Sequence, residues 1–354
     1  MASPRVRRPA VPADAGLPVA VDAMGGDKAP AEIVAGAVQA AAELGVPVVL
    51  VGRSAELGDT GGLEVVEASE TVAMDEDPAS AVRRKKDSSL VRAAEAVRDG
   101  RALAMVSAGN TGAAMASALL RMGRLPGVAR PAIATPIPRP GAHPTVLLDA
   151  GANTECTAAM LVQFAQMGAT YVSARYGPDD PSVALLSIGE EPSKGTPLVK
   201  EAHAAMAEAA EAGRFRFVGN VEGRDLLPGV ADVIVTDGFT GNVALKTLEG
   251  ALRFFMQALA GILGHDEQTK AAADTLLPHL APLAAEFDPD NTGGAMLLGV
   301  DGVCVISHGS SSARAVVSAV KVAHDVAKAG LVGRLADALA PREVQSQGEA
   351  HASR

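Results

Sequence analysis

Five short apolar runs along the chain each end in an Asp or a Ser and lead into a turn of small residues. The runs end at Asp22, Ser107, Asp149, Asp237 and Ser307, and each turn leads into an Ala- and Leu-rich stretch with helical spacing. This order of strand, turn and helix is typical of an α/β fold built on a parallel sheet. Because the turns after parallel strands share one edge of a sheet, we expect all five to gather where ligands bind.

The apolar pattern predicts seven strands, at 18–22, 46–52, 102–107, 145–149, 183–188, 232–236 and 303–307. The helical pattern predicts six helices between and after them, at 30–44, 88–98, 111–122, 157–168, 197–212 and 312–329. The proline-rich stretch 131–140 is predicted to be an extended connection. The stretch 243–288 is predicted to be a helical excursion from the sheet, broken at Gly264, Pro278 and Pro282.

The predicted domain organisation is a single α/β domain at 17–338, since no clean linker divides the chain. Residues 1–16 contain prolines and arginines with no apolar core, which predicts a disordered leader and not a signal peptide. Residues 339–354 are polar, which predicts a disordered tail. No run approaches the roughly 18 apolar residues that a membrane span needs.

Composition narrows the classes of function. The net charge of −10 over 354 residues argues against a general nucleic-acid binder, and the aromatic content of 3% without Trp leaves few surfaces for stacking bases. The two cysteines, Cys156 and Cys304, form no disulfide framework, which favours reduced thiols in a cytoplasmic protein.

The turns themselves suggest the chemistry of the ligand. Gly, Asn, Ser and Thr at helix starts offer backbone N–H groups and the positive end of a helix dipole, which together suit a phosphate group. Gly25 and Gly26 permit a close backbone approach, and the turn from Ser107 to Gly112 has the same character. Tight strand-to-helix turns without a ligand explain these glycines equally well. The residues therefore favour, without requiring, a phosphate-bearing small ligand.

Five longer motifs resemble one known family. They are VAVDAMGGD at 19–27, AVRRKKDSS at 81–89, SAGNTG at 107–112, VEGRDLL at 221–227 and VTDGFTGNVALKTLEG at 235–250. In this order they resemble the PlsX family of phosphate:acyl–acyl carrier protein acyltransferases, over about residues 19–326. The resemblance implies a parallel-sheet, three-layer α/β sandwich similar to phosphotransacetylase and isocitrate dehydrogenase.

The resemblance also implies an activity. Members transfer a long-chain fatty acyl group from acyl carrier protein to inorganic phosphate, and the acyl phosphate feeds the acylation of glycerol 3-phosphate in phospholipid biosynthesis. A homodimer is implied, as is a downstream glycerol 3-phosphate acyltransferase as a further partner. No cofactor or metal is implied, and no His, Cys and Asp cluster has the spacing of metal ligands.

By the same resemblance, Lys194 and Asn242 match the family's essential lysine and asparagine. We expect Lys194 to neutralise phosphate or the oxyanion and Asn242 to donate to the thioester carbonyl. A solvated loop lysine and a helix-capping asparagine are the structural alternatives. The expected substrate- or phosphate-binding residues are those of the small-residue turns: Gly25, Gly26, Asp27, Ser107, Gly109, Asn110, Thr111, Gly112, Asp237, Thr240, Gly241 and His308. The strand-end aspartates are expected mainly to cap helices or orient neighbours, and a structural role is the alternative for His308.

An acidic carrier protein needs a local basic patch on this acidic chain. Two candidates are the run Arg83, Arg84, Lys85, Lys86 and the group Arg121, Arg124 and Arg130, although charged runs are usually solvated surface. Some relatives touch membranes through a helical tip; the matching stretch 265–288 has few cations, so peripheral membrane contact is left open. The other functions considered are a phosphotransacetylase acting on acyl-coenzyme A, a metal- and NAD-dependent decarboxylating dehydrogenase, and a scaffold that binds carrier protein without turnover.

Overall fold

A computed structural model describes residues 16–340, so nearly all of the predicted leader (1–16) and of the predicted tail (339–354) lie outside it. The first half of the chain contains β1 Val19–Asp22, α1 Ala31–Leu44, β2 Val48–Gly52, β3 Glu64–Glu67, α2 Pro78–Arg84, α3 Ser89–Arg98, β4 Ala104–Ser107, α4 Thr111–Arg121, β5 Ala132–Ile137, β6 Thr145–Leu148 and α5 Ala158–Tyr176. The second half contains β7 Ser182–Leu186, α6 Pro197–Glu211, β8 Arg216–Val221, β9 Val233–Val235, α7 Gly238–Leu263, α8 Glu267–Phe287, α9 Pro289–Thr292, β10 Ala295–Leu298, β11 Val303–Ile306, α10 Ala313–Lys328 and α11 Leu331–Ala338.

Local sequence explains most helix boundaries. Pro30 precedes α1, and Gly45 ends it with φ of 64°. Several other helices begin at a side chain that accepts a backbone N–H in the first turn, namely Asp77, Asn110, Thr157, Thr196, Asp237, Asp266 and Ser312. All six predicted helices and all seven predicted strands are present, with small differences at their ends except that α5 extends eight residues further than predicted.

The eleven strands form one sheet in the order β3-β2-β1-β4-β11-β10-β5-β6-β9-β7-β8. One face is covered by α1, α5, α6, α10 and α11, and the other by α2, α3, α4 and the beginning of α7. The strands are mostly buried Val, Leu, Ile and Ala, as expected for a sheet covered on both faces. The predicted α/β class is therefore confirmed.

The sheet is mixed and not purely parallel, because β5 and β10 pair antiparallel with both of their neighbours. Three successive antiparallel pairings separate β11 from β6, so the two flanking groups of parallel strands run in opposite directions. The turns after β1, β4 and β11 therefore lie at one edge, and those after β6 and β9 lie at the opposite edge. The prediction that all five turns share one edge is wrong. The stretch 131–140, predicted to be a connection, supplies the buried strand β5 that causes the reversal.

The helical excursion is confirmed, but its details differ from the prediction. It begins at Gly238, and Gly264 ends α7 as predicted. The predicted break at Pro278 and Pro282 is wrong, since α8 continues through both prolines. Each proline leaves the carbonyl oxygen four residues earlier without its helical hydrogen bond. Both prolines lie on exposed turns, where water can satisfy those oxygens.

Candidate functional site

The turns after β1 and β4 are joined by a buried pair of side chains. The Ser107 hydroxyl donates to the Asp22 carboxylate at 2.7 Å and accepts the backbone N–H of Gly109 at 3.0 Å. Asp22 is almost completely buried. Burial raises the pKa of Asp22, while hydrogen bonds from Ser89 and Ser107 act in the opposite direction. These two site residues therefore hold the strand ends together.

Three turns at this edge meet through their backbones. A Cβ atom on Gly25 would lie 2.8 Å from the backbone nitrogen of Gly109, so only glycine permits this approach. Gly26 has φ of 115°, and the Asp27 N–H donates to the carbonyl oxygen of Gly309 at 2.7 Å. The structure thus brings together the predicted residues of the turns after β1, β4 and β11. The Asp27 side chain remains exposed beside them.

Asn110 has a structural role in the same cluster. Its side-chain oxygen accepts the N–H of Ala113 at the start of α4, and its side-chain nitrogen donates to the carbonyl oxygen of Met74 at 2.8 Å. Thr111 and Gly112 form the first turn of α4. Thr111 is exposed, whereas a Cβ on Gly112 would collide with the Pro78 ring. This turn is therefore built as a helix cap, with Thr111 at its surface.

Asp149 organises the opposite edge. Its carboxylate accepts the backbone N–H groups of Ile133, Gly151, Ala152 and Asn153, at 2.7–3.1 Å, and the side-chain nitrogen of Asn153 at 2.8 Å. Burial raises the pKa of Asp149, and these hydrogen bonds oppose that effect. Asp149 therefore orients its neighbours, as expected, but it caps no helix, because α5 begins later, at the Thr157 cap.

The N-terminus of α7 rests on the turn after β6. Asp237 accepts the Thr240 N–H at 2.9 Å and the Thr240 hydroxyl at 2.8 Å. Gly238 donates its N–H to the carbonyl oxygen of Asn153 at 2.7 Å. Gly241 is buried against the backbone of Asp149. The Asp237 side chain thus caps the helix through two hydrogen bonds from Thr240. Gly241 allows the helix to pack closely against the turn after β6.

Asn242 projects from this first turn of α7 and is exposed. Its side chain lies beside Gly151, where a Cβ atom would be 3.5 Å from the Asn242 side-chain oxygen. Asp237, and not Asn242, is the residue that caps the helix. The capping alternative for Asn242 is therefore excluded by the geometry, and its amide is available to a ligand.

Lys194 lies in the loop between β7 and α6, at the same edge as Asn242. The strands β7 and β9 are neighbours, with Leu185 opposite Val235, so the segments that follow them begin side by side. The Lys194 chain packs over Gly189, where a Cβ would be 2.8 Å from its Cγ. Its ammonium group is exposed and has no ion pair or hydrogen bond within residues 16–340. An exposed, unpaired ammonium is available to an anionic substrate.

Apolar side chains are exposed along the same edge. Ile188 is 81% exposed, and Phe239 and Val243 on α7 are 62% and 50% exposed. Phe239 and Val243 are four residues apart and lie on one side of the helix. Lys194 and Asn242 are therefore accompanied by an apolar surface, which we call the apolar rim.

His308, in the turn after β11, lies close to helix α7. Its Nε2 atom lies 4.0 Å from Oε1 of Glu249, three turns into that helix. Burial is the main cause that lowers the pKa of His308; Lys246 and Arg253 lower it further, whereas Glu249 and Asp290 raise it. Sequence reasoning identified His308 but not these α7 residues. Lys246, Glu249 and Arg253 follow Asn242 at successive intervals of four, three and four residues. This helical spacing is the sequence signal that could have identified them.

Several of the predicted docking cations have intramolecular partners. Lys85 binds the Glu76 carboxylate and donates to the carbonyl oxygen of Thr71 at 2.7 Å. Arg121 lies 3.8 Å from Glu95, and Arg124 donates to the carbonyl oxygens of Val128 and Ala129. Arg84 lies 4.0 Å from Glu76. Arg83 and Lys86 are exposed. The docking role of both patches stays a prediction.

Two features are absent from that part of the chain which the structure describes, residues 16–340. No group of three or more His, Cys, Asp or Glu side chains in that part is arranged to hold a metal ion. No helix in the same range is long and apolar enough to cross a membrane.

Solved structures with this fold include two kinds of enzyme. A phosphotransacetylase from Staphylococcus aureus superimposes with a TM-score of 0.58 and 18% identity, covering 88% of this chain and 94% of its own. A 4-hydroxythreonine-4-phosphate dehydrogenase from Klebsiella pneumoniae has a TM-score of 0.51 and 14% identity, covering 88% and 99%. At these identities the likeness extends to the fold alone.

Sequence comparison is more specific. A phosphate acyltransferase from Heliobacterium modesticaldum is 47% identical over 314 residues, covering 86% of this chain and 92% of its own. One from Thermobifida fusca is 45% identical over 326 residues, covering 90% and 89%. The family described as "Fatty acid synthesis protein" matches residues 17–334. The chain therefore belongs to the fatty acid synthesis protein family, as an enzyme that groups with its phosphate acyltransferases.

Proposed function

We propose that this enzyme transfers a long-chain fatty acyl group from acylated acyl carrier protein to inorganic phosphate. The product, an acyl phosphate, would supply the acylation of glycerol 3-phosphate in phospholipid biosynthesis. The observation that carries the proposal is that Lys194 and Asn242 are both exposed at one sheet edge, the edge that also carries the apolar rim. Phosphate requires a cation, a thioester carbonyl requires a hydrogen-bond donor such as an amide, and a fatty chain requires an apolar surface.

The chemistry needs no protein nucleophile. Phosphate has a second pKa near 6 to 7, so its dianion is abundant at neutral pH and can attack the carbonyl carbon itself. The new C–O bond forms, the C–S bond breaks, and the proton carried by the phosphate ends on the departing thiol. Lys194 would neutralise phosphate, and Asn242 would donate to the carbonyl oxygen as negative charge develops there.

The apolar rim supports a fatty acyl group as the transferred group. Exposed Ile188, Phe239 and Val243 would be covered by a long chain and only partly covered by an acetyl group. Burying apolar surface gives about 0.8 kcal/mol for each methylene, which favours the longer substrate. The phosphotransacetylase fold supports the second candidate, a short-chain acyl-coenzyme A donor.

The test is an assay that follows the loss of the acyl donor and the formation of the product in the same reaction. Palmitoyl–acyl carrier protein is incubated with the enzyme with and without phosphate, and the free thiol and hydroxylamine-reactive acyl phosphate are followed together. Phosphate-dependent formation of both supports the proposal. Acetyl- and palmitoyl-coenzyme A are the comparison donors, and a preference for acetyl-coenzyme A would favour the second candidate. Thiol release without acyl phosphate would contradict both.

A homodimer in the cytoplasm is part of the proposal. The hairpin of α7 and α8 exposes Phe254, Phe255 and Ile262, which a second copy would cover. Light scattering over a range of concentrations tests this, and a monomer throughout would contradict it. Co-sedimentation with vesicles would test contact with a membrane surface. A pull-down would test contact with a downstream acyltransferase that takes up the acyl phosphate.

A further inference from the structure

Four polar residues form a stripe along α7 that begins at Asn242. Lys246, Glu249 and Arg253 follow it at intervals of four, three and four residues. At 100° a residue, all four lie within about 60° of one another around the helix. With a rise of 1.5 Å a residue, Arg253 lies about 16 Å from Asn242 along the axis.

This stripe faces the turn after β11. Glu249 Oε1 lies 4.0 Å from His308 Nε2, and the charges of Lys246 and Arg253 both act on the His308 ring. His308 is in turn next to Gly309, which accepts the Asp27 N–H. The stripe thus runs from the Asn242 edge toward the cluster of small-residue turns at the other edge.

The charges along the stripe are not equally available. The Lys246 ammonium pairs with the Glu249 carboxylate at 2.9 Å. Arg253 is exposed, and its guanidinium has no ion pair or hydrogen bond among residues 16–340. A guanidinium binds phosphate through two parallel hydrogen bonds. Arg253 is therefore the cation on this stripe that is available to an anionic group about 16 Å from Asn242.

The prosthetic arm of a carrier protein has matching dimensions. A phosphopantetheine arm has about twelve bonds between its phosphate oxygen and its sulfur, and an extended chain gains about 3.6 Å for every three bonds, which gives about 14 Å. A thioester at Asn242 would then place the arm's phosphate close to Arg253. The thioester and the phosphate at the two ends of the arm would therefore lie at Asn242 and at Arg253, the two ends of the stripe.

We propose that Arg253 binds the phosphate of a phosphopantetheine-type arm that lies along α7 with its thioester at Asn242. This rests on the proposed function and adds how the donor is recognised: through a phosphate at a fixed distance from the reacting carbonyl. Lys246 and Glu249 form a neutral pair under the middle of the arm, where pantetheine carries amide and hydroxyl groups.

The experiment compares three donors with the same decanoyl group, carried on pantetheine, on 4′-phosphopantetheine and on acyl carrier protein. We expect the wild-type kcat/KM to be about tenfold higher for phosphopantetheine than for pantetheine, as for one charge-assisted hydrogen-bonded pair. Arg253→Gln should lower kcat/KM about tenfold for both phosphate-bearing donors and leave pantetheine unchanged. Arg253→Lys should recover part of the loss. Lys270→Gln, on exposed α8, is the matched control and should resemble wild type.

A second measurement separates this inference from the proposed function. Calorimetry of unacylated phosphopantetheine and pantetheine reports the arm site without turnover, and Arg253→Gln should weaken only phosphopantetheine, about tenfold. Selective binding with no turnover of any donor would overturn the proposed function and leave the arm site standing. Equal losses with all three donors, a loss with carrier protein alone, or a wild type that does not distinguish phosphopantetheine from pantetheine would overturn the inference.

Discussion

The carbonyl oxygen of Asp149 occupies the space in which a Cβ atom on Gly241 would stand. The first turn of α7, which carries Asn242, is therefore seated directly on the turn that follows β6. The Asp149 carboxylate is itself fixed by four backbone N–H groups, one from β5 and three from successive residues of its own turn. The position of Asn242 thus depends on a backbone contact that a side chain at residue 241 would prevent.

Gly241→Ala is expected to destabilise the protein by about 1–3 kcal/mol, because overpacking forces the backbone to shift. Activity should fall with it, since Asn242 is the next residue. Gly250→Ala in the same helix is the matched control, as a Cβ there meets nothing within 4 Å. Because Gly250 lies in an exposed helix interior, replacing it with Ala should stabilise the protein by up to about 1 kcal/mol relative to wild type. Urea unfolding measures both; a Gly241→Ala variant as stable as wild type would refute the seating of α7.

Lys194→Ala and Asn242→Ala should each lower kcat by about 10²–10³, the cost of removing one preorganised donor from a site of developing charge. Neither should change the midpoint of unfolding by much, because both side chains are exposed. Lys200→Ala, an exposed lysine on α6, is the control and should keep full activity. Wild-type turnover in either site variant would remove that residue from the proposed mechanism.

Phe239→Ala and Val243→Ala should change the chain-length preference of the enzyme. Each removes apolar surface from the rim, so kcat/KM for a palmitoyl donor should fall several-fold, while that for a butyryl donor changes little. Val230→Ala removes a similarly exposed side chain before β9, at the opposite edge, and should leave the ratio unaltered. The ratio of the two specificity constants is the measurement, and equal losses for both donors would argue against the rim as the acyl surface.

Asp87 should make folding sensitive to acid. Hydrogen bonds from the Ser69 hydroxyl at 2.6 Å and the Ser69 N–H, then from Arg92, lower its pKa from 3.8 to about 2. Since the folded-state pKa is depressed, this stabilisation is complete above about pH 4 and disappears as the pH falls toward 2. Asp87→Asn should therefore be less stable than wild type at pH 7, with a difference that shrinks below pH 4. Urea unfolding from pH 3 to 7 tests this; a difference independent of pH would exclude the charge as its cause.

The sequence pattern predicted seven apolar strands, five of which are followed by a small-residue turn. It missed β3 and β8, which are partly exposed and include charged residues, and β10, which follows a pair of glycines. It treated β5 as a connection, because Pro136 lacks the backbone N–H expected in a central strand and further prolines flank it in the stretch 131–140. In the structure, Pro136 is paired with Val146 of β6.

The site was predictable in its residues but not in its arrangement. Lys194 and Asn242 came from the resemblance, and the strand order then placed the segments that carry them, after β7 and after β9, at one edge of the sheet. The division of the turns between two edges depends on the antiparallel pairing of β5 and β10, which joins segments more than 150 residues apart. No local pattern encodes that pairing. For the same reason, the α7 stripe was visible as a spacing, but its orientation toward His308 was not.

The place of β11 in the sheet has a consequence for how the molecule is made. Strand β4 pairs with β11, which is synthesised about 200 residues later, with Ala104 opposite Val303. While the ribosome completes the intervening segment, one side of β4 presents unpaired N–H and C=O groups and a buried-type apolar sequence. Such long-range pairing forms slowly and exposes the nascent chain to aggregation. Chains that terminate before residue 303 should therefore be poorly soluble and dependent on chaperones, although they contain the first ten strands.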